Sequence, residues 1–134
     1  MNKEKLTVLY KKYNLTKDDV FKHQHYLIIT RSGIDKIQAE SGVEINYEVI
    51  KCEKDFCVVK ANAILEIGNG QQLNIETFGS ALKGADFKSG NTNSWYVMEM
   101  AEKRAMSRAV LKLTGFYQLG VFGEDEAEDF KRNA

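Results

Sequence analysis

The sequence has no apolar stretch close to the ~20 residues that a membrane-spanning helix requires. It also begins with a short segment of mixed character rather than with a secretory leader. It has two cysteines, Cys52 and Cys57, which flank a predicted turn and could face each other across a hairpin. Free thiols in a reducing compartment are the more common arrangement, so we expect a cytoplasmic protein.

Recognisable motifs of enzyme chemistry are also lacking. The sequence has no Walker-type glycine loop and no Gly-x-Gly-x-x-Gly after a strand. His23 and His25 form a His-x-His pair, but no Cys or carboxylate cluster is spaced to complete a metal site, which favours a structural role. Glu66, Glu76 and Lys60 are the only candidates for a nuclease centre, and their spacing gives no reason to select them. We expect a protein that is not an enzyme, with no catalytic residue, metal or cofactor.

The net charge is zero, but the charges are unevenly distributed. Residues 1–119 contain 17 Lys and Arg against 14 Asp and Glu, a net charge of +3, and residues 120–134 contain 2 against 5, a net charge of −3. We predict one domain over residues 1–122, followed by an acidic, flexible tail over residues 123–134. The asymmetry is a weak indication of a polyanionic partner, with the tail as a competitor for the same surface. A solvated tail without a role is an equal alternative.

Upstream of Val43, the apolar spacing is that of short helices. Three segments have helical spacing or a helix cap: residues 6–13, 16–21 and 33–40. Gly42 ends the third segment, because glycine readily takes the left-handed conformation of a helix stop. Between the helices, the apolar run over residues 25–30 predicts either a strand or a buried connection.

From Val43 onward, apolar residues alternate with polar ones, which is the period of half-buried strands. Three such runs are present: residues 43–49, 56–67 and 72–78. Gly68-Asn69-Gly70 is a strong hairpin signal, because these residues tolerate the positive φ of tight turns. We predict an α+β fold in which a three-stranded antiparallel β-meander packs against a long C-terminal helix, with short helices at the N-terminus.

A glycine-bearing loop leads from the meander to the long helix, which we predict over residues 94–114. One side of this helix should pack on the meander: Met98, Ala101, Glu102, Ala105, Ala109 and Leu113. Arg104, Arg108 and Lys112 follow one another at i, i+4 and i+8, and we call them the basic stripe. These cations have no carboxylate partners within the helix, so they require an external anion or acids from another element. A solvated polar face is the alternative interpretation.

This order of elements resembles the core of the single-strand annealing proteins, which include the phage Erf, Sak and Red-beta types and the eukaryotic annealing recombination mediator. The resemblance covers residues 25–116 and is best over residues 74–81 and 100–115. The Ala-Glu-Lys-Arg-Ala block is also similar to a segment that occurs in a group of small phage proteins. The resemblance implies a non-enzymatic, oligomeric, phage-encoded protein that binds single-stranded DNA without sequence specificity and promotes annealing in recombination. An acidic tail would add a possible replication or recombination partner.

In that family, cations late in the helix contact the DNA backbone at the base of a groove, a role that transfers to Arg108 and Lys112. Arg104 follows by helical spacing only. The loop contributes two lysines, and two aromatic residues could stack on bases or could instead pack the first helical turn on the sheet. The candidate nucleic-acid-binding residues are Arg104, Arg108, Lys112, Lys83, Lys88, Trp95 and Tyr96.

Two other functions fit parts of the sequence. One is a single-strand protector built on an OB barrel, with an acidic tail that recruits partners, although the sequence predicts too few strands for that barrel. The other is an α+β interaction module that binds no nucleic acid. Its support is the zero net charge and the sequence pI near 6.7, since many DNA-binding proteins are basic.

Overall fold

The computed structural model describes residues 3–84, 90–92 and 94–126. The helices are α1 (Lys3–Lys12), α2 (Arg31–Ser41) and α3 (Val97–Thr114), with 3₁₀ turns at Lys17–Asp19 and Tyr117–Leu119. The strands are β1 (Val20–His23), β2 (Tyr26–Ile29), β3 (Glu44–Cys52), β4 (Phe56–Gly68), β5 (Gln71–Leu82) and β6 (Val121–Gly123). Among the described residues, every helix is too short or too polar to cross a lipid bilayer.

Strands β3, β4 and β5 form the antiparallel meander that the alternating sequence predicts, and α3 packs against it, so the predicted α+β fold is confirmed. Alternate residues of β4 face the helix and are buried: Cys57, Val59, Ala61 and Ala63. At the β4–β5 turn, Asn69 has a φ of 55° between two glycines that also have positive φ. Glycine and asparagine adopt positive φ readily, so this turn agrees with the hairpin predicted from Gly-Asn-Gly.

Helix α3 lies unusually close to β5 because Gly79 has no side chain. A Cβ atom at Gly79 would overlap the backbone of Ala101 and Ala105. The three predicted alanines, Ala101, Ala105 and Ala109, are all buried on this side of the helix. Thr77 fixes the register of helix and strand, since its Oγ1 donates a hydrogen bond of 2.7 Å to the carbonyl of Ala105.

The prediction for α3 was wrong in two respects. The helix begins at Val97 rather than at residue 94, because Tyr96 N donates to Ser94 Oγ at 3.0 Å and Tyr96 takes a non-helical conformation. Met98 and Glu102 are exposed, although helical spacing placed them on the packed face. The covered sector is rotated toward Arg104 and Ser107, since a second part of the chain packs on that side.

That second part is a small sheet in which β2 pairs antiparallel with β1 and parallel with β6. The predicted helix over residues 16–21 is limited to the 3₁₀ turn, and the strand begins directly after it at Val20. A capping box starts the turn at Thr16, since the Asp19 carboxylate accepts a hydrogen bond of 2.9 Å from Thr16 N, and the extended backbone of Val20 ends it. The run over residues 25–30 contains a strand, one of the two alternatives that we considered.

Helix α2 closes the core beneath the small sheet. Its buried side chains Ile34 and Ile37 join the same apolar cluster as Val110, Leu111 and Phe116. The helix begins after Thr30, whose Oγ1 accepts a hydrogen bond from Gly33 N. Gly42 ends it with a φ of 75°, as predicted.

The predicted boundary between domain and tail falls after Phe122, but the fold continues past it. Gly123 belongs to β6 and pairs with Ile29. Asp125 and Glu126 are 4% and 6% exposed. We name residues 124–126 the acidic segment and count it, with Gly123, as part of the folded domain. Residues 127–134 of the predicted tail lie outside the described residues.

Candidate nucleic-acid interface

Arg104, the first member of the basic stripe, is 3% exposed and bound by the protein itself. Its guanidinium donates to the carbonyls of Ser80 at 2.9 Å, Asn91 at 3.0 Å and Asp125 at 3.4 Å. A planar guanidinium suits such a site because its donors point in several fixed directions. The prediction that Arg104 contacts phosphate is therefore corrected, since this side chain joins β5, the following loop and the acidic segment.

Arg108 lies one turn further along α3 and is only partly covered. Its Nη1 donates to the carbonyl of Phe78 at 2.8 Å, on the open edge of β5. Its Nη2 forms an ion pair of 3.4 Å with Glu126, and its side chain remains 32% exposed. We considered two counterions for this cation, an external anion and an acid from another element, and the structure supplies the second. Arg108 nevertheless remains accessible to solvent.

Lys112 ends the basic stripe in a third kind of environment. Its ammonium lies 5.0 Å from the ring centroid of Tyr117, and the residue is partly exposed. The three cations are in line along α3, as the spacing predicts, but one is buried, one is paired and one lies over an aromatic ring. The basic stripe is therefore not a continuous cationic surface.

The acidic segment follows β6 and connects it to α2 and α3. The Asp125 carboxylate accepts hydrogen bonds from Arg31 Nη2 at 2.8 Å and from Ser107 Oγ at 3.0 Å. Glu124 accepts from the backbone N–H of Arg31 at 2.9 Å, at the start of α2. The hydrogen bond that Arg31 donates to Asp125 is the main reason why the pKa of Arg31 lies above its usual value. These acids neutralise cations that the sequence alone leaves without partners.

An open groove of about 380 Å³ follows the edge of β5 beside α3. It is lined by Phe56, Val58, Phe78, Gly79, Ser80, Asn91, Arg104 and Arg108. Of these residues, Phe78 is 49% exposed. Arg108 presents the part of its guanidinium that Glu126 does not cover. The groove therefore offers both an apolar side chain and a cation to a ligand.

Trp95 and Tyr96 lie just before α3 and are 58% and 70% exposed. Two ammonium groups lie over the indole ring, with Lys83 Nζ at 4.2 Å and Lys54 Nζ at 5.3 Å from the ring centroid. We name these four residues the Trp95 platform. The alternative in which both aromatics pack the first helical turn on the sheet does not hold, because Val97 fills that position at 4% exposure.

The groove and the Trp95 platform adjoin where β4 starts and β5 ends. Phe56, in the groove, pairs with Leu82, and Lys83 of the platform follows directly. Backbone N–H of Lys83 donates to the carbonyl of Asp55 at 2.7 Å, which ties the β3–β4 turn to the end of β5. Lys54 was missed by the sequence analysis, since its place beside Trp95 depends on this long-range contact. Lys88, a predicted site residue, lies outside the described residues.

The other polar groups that the sequence singled out do not converge on this site. The Nε2 atom of His23 is buried without a hydrogen-bond partner, and the His25 ring packs on Tyr26 with centroids 4.3 Å apart. Within residues 3–84, 90–92 and 94–126, no three His, Cys, Asp or Glu side chains cluster as a metal site requires. Lys60 pairs with Glu76 at 2.7 Å, and that hydrogen bond raises the pKa of Lys60.

A comparison of the chain with protein-family models, with curated proteins and with solved structures finds no match. Function is therefore inferred from the side chains of the groove and the platform, together with the resemblance in the sequence.

Proposed function

We propose that this protein binds single-stranded DNA without sequence specificity and promotes the annealing of complementary strands. Bases stack on the Trp95 platform, and the phosphate backbone follows the lysines of the platform toward Arg108 in the groove. The protein acts by binding alone, as a non-enzymatic and oligomeric factor of recombination. The resemblance to the phage and eukaryotic annealing proteins supports this class, and the chemistry of the platform supports the ligand.

The observation that carries the proposal is the exposed indole of Trp95 with two lysine ammonium groups over its ring. Stacking of a base on an aromatic ring contributes ~1–3 kcal/mol and is insensitive to sequence, since every base has a flat face. Lys54 and Lys83 lie close enough to the ring to meet the phosphates on either side of a stacked base. This combination of an aromatic surface and cations is typical of single-strand binding sites.

The groove extends the same chemistry along β5. Arg108 is held by one backbone carbonyl and one carboxylate, and a phosphate can replace the carboxylate of Glu126 without changing the sign of the pairing charge. Phe78, which also lines the groove and is exposed, offers a further apolar contact. With a net charge of zero, one subunit provides few cations, and side-by-side copies would repeat the site along a strand.

The OB-type alternative requires a closed barrel. The described strands instead form two separate three-stranded sheets, so we do not propose it. The α+β interaction module that binds no nucleic acid agrees with the same fold. The absence of DNA binding in the experiment below would therefore favour this module.

The proposal is tested by the fluorescence anisotropy of a labelled single-stranded oligonucleotide at about 50 mM and about 200 mM salt. We expect binding that weakens with salt, because displaced counterions favour association at low ionic strength. The double variant Trp95→Ala, Lys83→Ala should weaken binding to all sequences alike. Val8→Ala with Lys11→Ala, on the exposed face of α1, is the matched control. Failure of the wild type to show salt-sensitive binding would leave the interaction module as the correct interpretation.

Annealing is tested separately from binding. We expect the wild type to accelerate the pairing of two complementary labelled strands, measured by energy transfer between their dyes. A protein that binds both strands but slows their pairing is a protector, and that result would refute the annealing activity while leaving the binding site in place.

A further inference from the structure

Cys52 and Cys57 lie directly opposite each other at the end of the β3–β4 hairpin. Their Sγ atoms are 2.7 Å apart. The neighbouring pair is hydrogen bonded, since Glu53 N donates to the carbonyl of Phe56 at 2.7 Å. Pairs alternate along an antiparallel ladder, so Cys52 and Cys57 occupy a non-hydrogen-bonded position, where Cα atoms are closest and side chains meet. This spacing is compatible with a cross-strand disulfide.

The two thiols differ in their access to solvent. Cys57 is fully buried in a small cluster under α3, with Val59, Ala81, Val97 and Ala101. Cys52 is exposed at the outer strand. Burial, and next the contact with Cys52, raise the pKa of Cys57 to about 11, so this thiol stays protonated at neutral pH. An external reagent therefore meets Cys52 first.

We propose that Cys52 and Cys57 form a redox-active dithiol, which closes to an intramolecular disulfide by exchange with a low-molecular-weight disulfide. Cys52 is the residue that the reagent reaches, and Cys57 is the resolving residue. The proposal rests on the geometry of the hairpin and is independent of the proposed binding of single-stranded DNA.

The exchange proceeds in two balanced steps. The thiolate of Cys52 attacks one sulfur of the reagent; the reagent's S–S bond breaks, one thiolate leaves, and a mixed disulfide forms on Cys52. The sulfur of Cys57 then attacks Cys52 Sγ, its proton passes to the departing thiolate, and the second reagent thiol leaves. The two protein thiols lose two electrons, and the reagent disulfide gains them as two thiols.

A metal is a poor alternative ligand for this pair. A structural zinc site takes four ligands, commonly Cys and His. Within the part of the chain that the structure describes, no third His, Cys, Asp or Glu lies with the two thiols in a group able to hold a metal. Two opposed thiols without further ligands are suited to forming a bond with each other.

The disulfide would close the turn that carries Lys54, which stands 5.3 Å from the ring of Trp95. Oxidation therefore acts on a turn that carries one of the four residues of the platform. The chain contains two cysteines, so the products of the reaction are unambiguous.

The test is to incubate the folded full chain with oxidised glutathione, quench with acid, and measure intact mass and free thiols. We expect the wild type to lose two hydrogen atoms and both free thiols while remaining a single chain, and to recover them with dithiothreitol. Cys57→Ala should retain one glutathionyl group on Cys52, since the resolving thiol is absent. Cys52→Ala should remain unmodified while folded, because Cys57 is inaccessible.

Three results would overturn the proposal: a wild type that keeps both thiols, one that retains a glutathionyl group, or one that forms a disulfide-linked dimer. Circular dichroism establishes that each variant is folded before its reactivity is read. If Cys57→Ala fails to fold, the wild type and Cys52→Ala, whose changed residue is exposed, still decide the matter.

Discussion

At the residue scale, Arg104 joins three parts of the chain that are distant in sequence. Its spacing from Arg108 was correctly predicted, but its function was not. A helical repeat shows which side chains lie in line, whereas the groups that cover them come from other elements. In this case, the carbonyls of Ser80 and Asn91 and that of Asp125 satisfy the guanidinium. Only the fold brings these acceptors together.

Arg104→Met should destabilise the protein by about 3 kcal/mol, because it removes a buried guanidinium whose three hydrogen bonds join separate parts of the chain. The measurement is the free energy of unfolding from urea titration. Lys103→Met removes the same charge from the adjacent position of α3 and serves as the control, with an expected change of less than ~0.5 kcal/mol. Equal stabilities of the two variants would contradict the structural role of Arg104.

Asp19 provides a prediction on pH dependence. Its carboxylate accepts a hydrogen bond of 2.7 Å from Lys36 Nζ and one of 2.9 Å from Thr16 N. The bond from Lys36, and next that from Thr16, lower the pKa of Asp19 below its usual value. The folded state therefore gains stability above the unfolded pKa of ~3.9, and this contribution is lost as the pH falls through the lower, folded pKa.

Asp19→Asn should accordingly reduce the free energy of unfolding by ~1–3 kcal/mol at neutral pH, with the difference from wild type vanishing in acid. Urea titrations over a series of pH values provide the comparison. Asp18→Asn, on the exposed neighbour, should run parallel to the wild type. If the free energy of unfolding of Asp19→Asn stays below that of the wild type by a constant amount, down to the lowest pH at which both are folded, the lowered pKa of Asp19 is contradicted.

At the element scale, the acidic segment differs most from what the sequence leads one to expect. Composition marks residues 123–134 as a charged tail, and removal of that whole tail would then leave the fold intact. In the structure, Gly123 completes β6 and Asp125 binds Arg31 and Ser107. These are long-range contacts, and no local pattern of four residues reveals them.

Two truncations separate these views. Ending the chain after Phe122 should lower stability by about 3 kcal/mol or more, since buried partners of Arg104, Arg108 and Arg31 are lost. Ending it after Glu126 keeps those contacts, so we expect a much smaller loss. Thermal unfolding of both variants against the full chain measures the difference. If the chain that ends after Phe122 is as stable as the chain that ends after Glu126, the acidic segment is a solvated tail.

The elements that could be predicted are those with enough residues to show a period. Strands β4 and β5 span 13 and 12 residues, so their alternation is plain, and the glycine turn between them is a local signal. Strands β1 and β6 span 4 and 3 residues, too few for a period to appear. The parallel pairing of β6 with β2 also joins opposite ends of the chain. It must overcome loop-closure entropy, and no local preference indicates it.

The same limit applies to the candidate site. Trp95, Tyr96 and Lys83 could be selected from the sequence because they are close together in it. Lys54 could not, since it reaches Trp95 only through the hairpin end and the contact of Lys83 with Asp55. Arg104 was selected for a role that its burial rules out.

At the scale of the whole molecule, cations and anions that are distant in the sequence are paired by the fold. The acidic segment offsets the basic stripe on one side of α3, and the lysines of the Trp95 platform lie at the other end of the groove. A ligand with negative charge would therefore meet the platform first and could reach Arg108 only by replacing Glu126. Binding should accordingly depend on the platform more than on the basic stripe.

The emission of Trp95 tests this account most directly, because the chain contains one tryptophan. Titration of the protein with unlabelled single-stranded DNA should quench that emission as bases stack on the indole, and added salt should restore it as the strand dissociates. Lys11→Ala, on α1, should quench like the wild type, and Lys83→Ala should require more DNA. An emission that stays unchanged while anisotropy shows the strand to be bound would place the binding site elsewhere on the molecule.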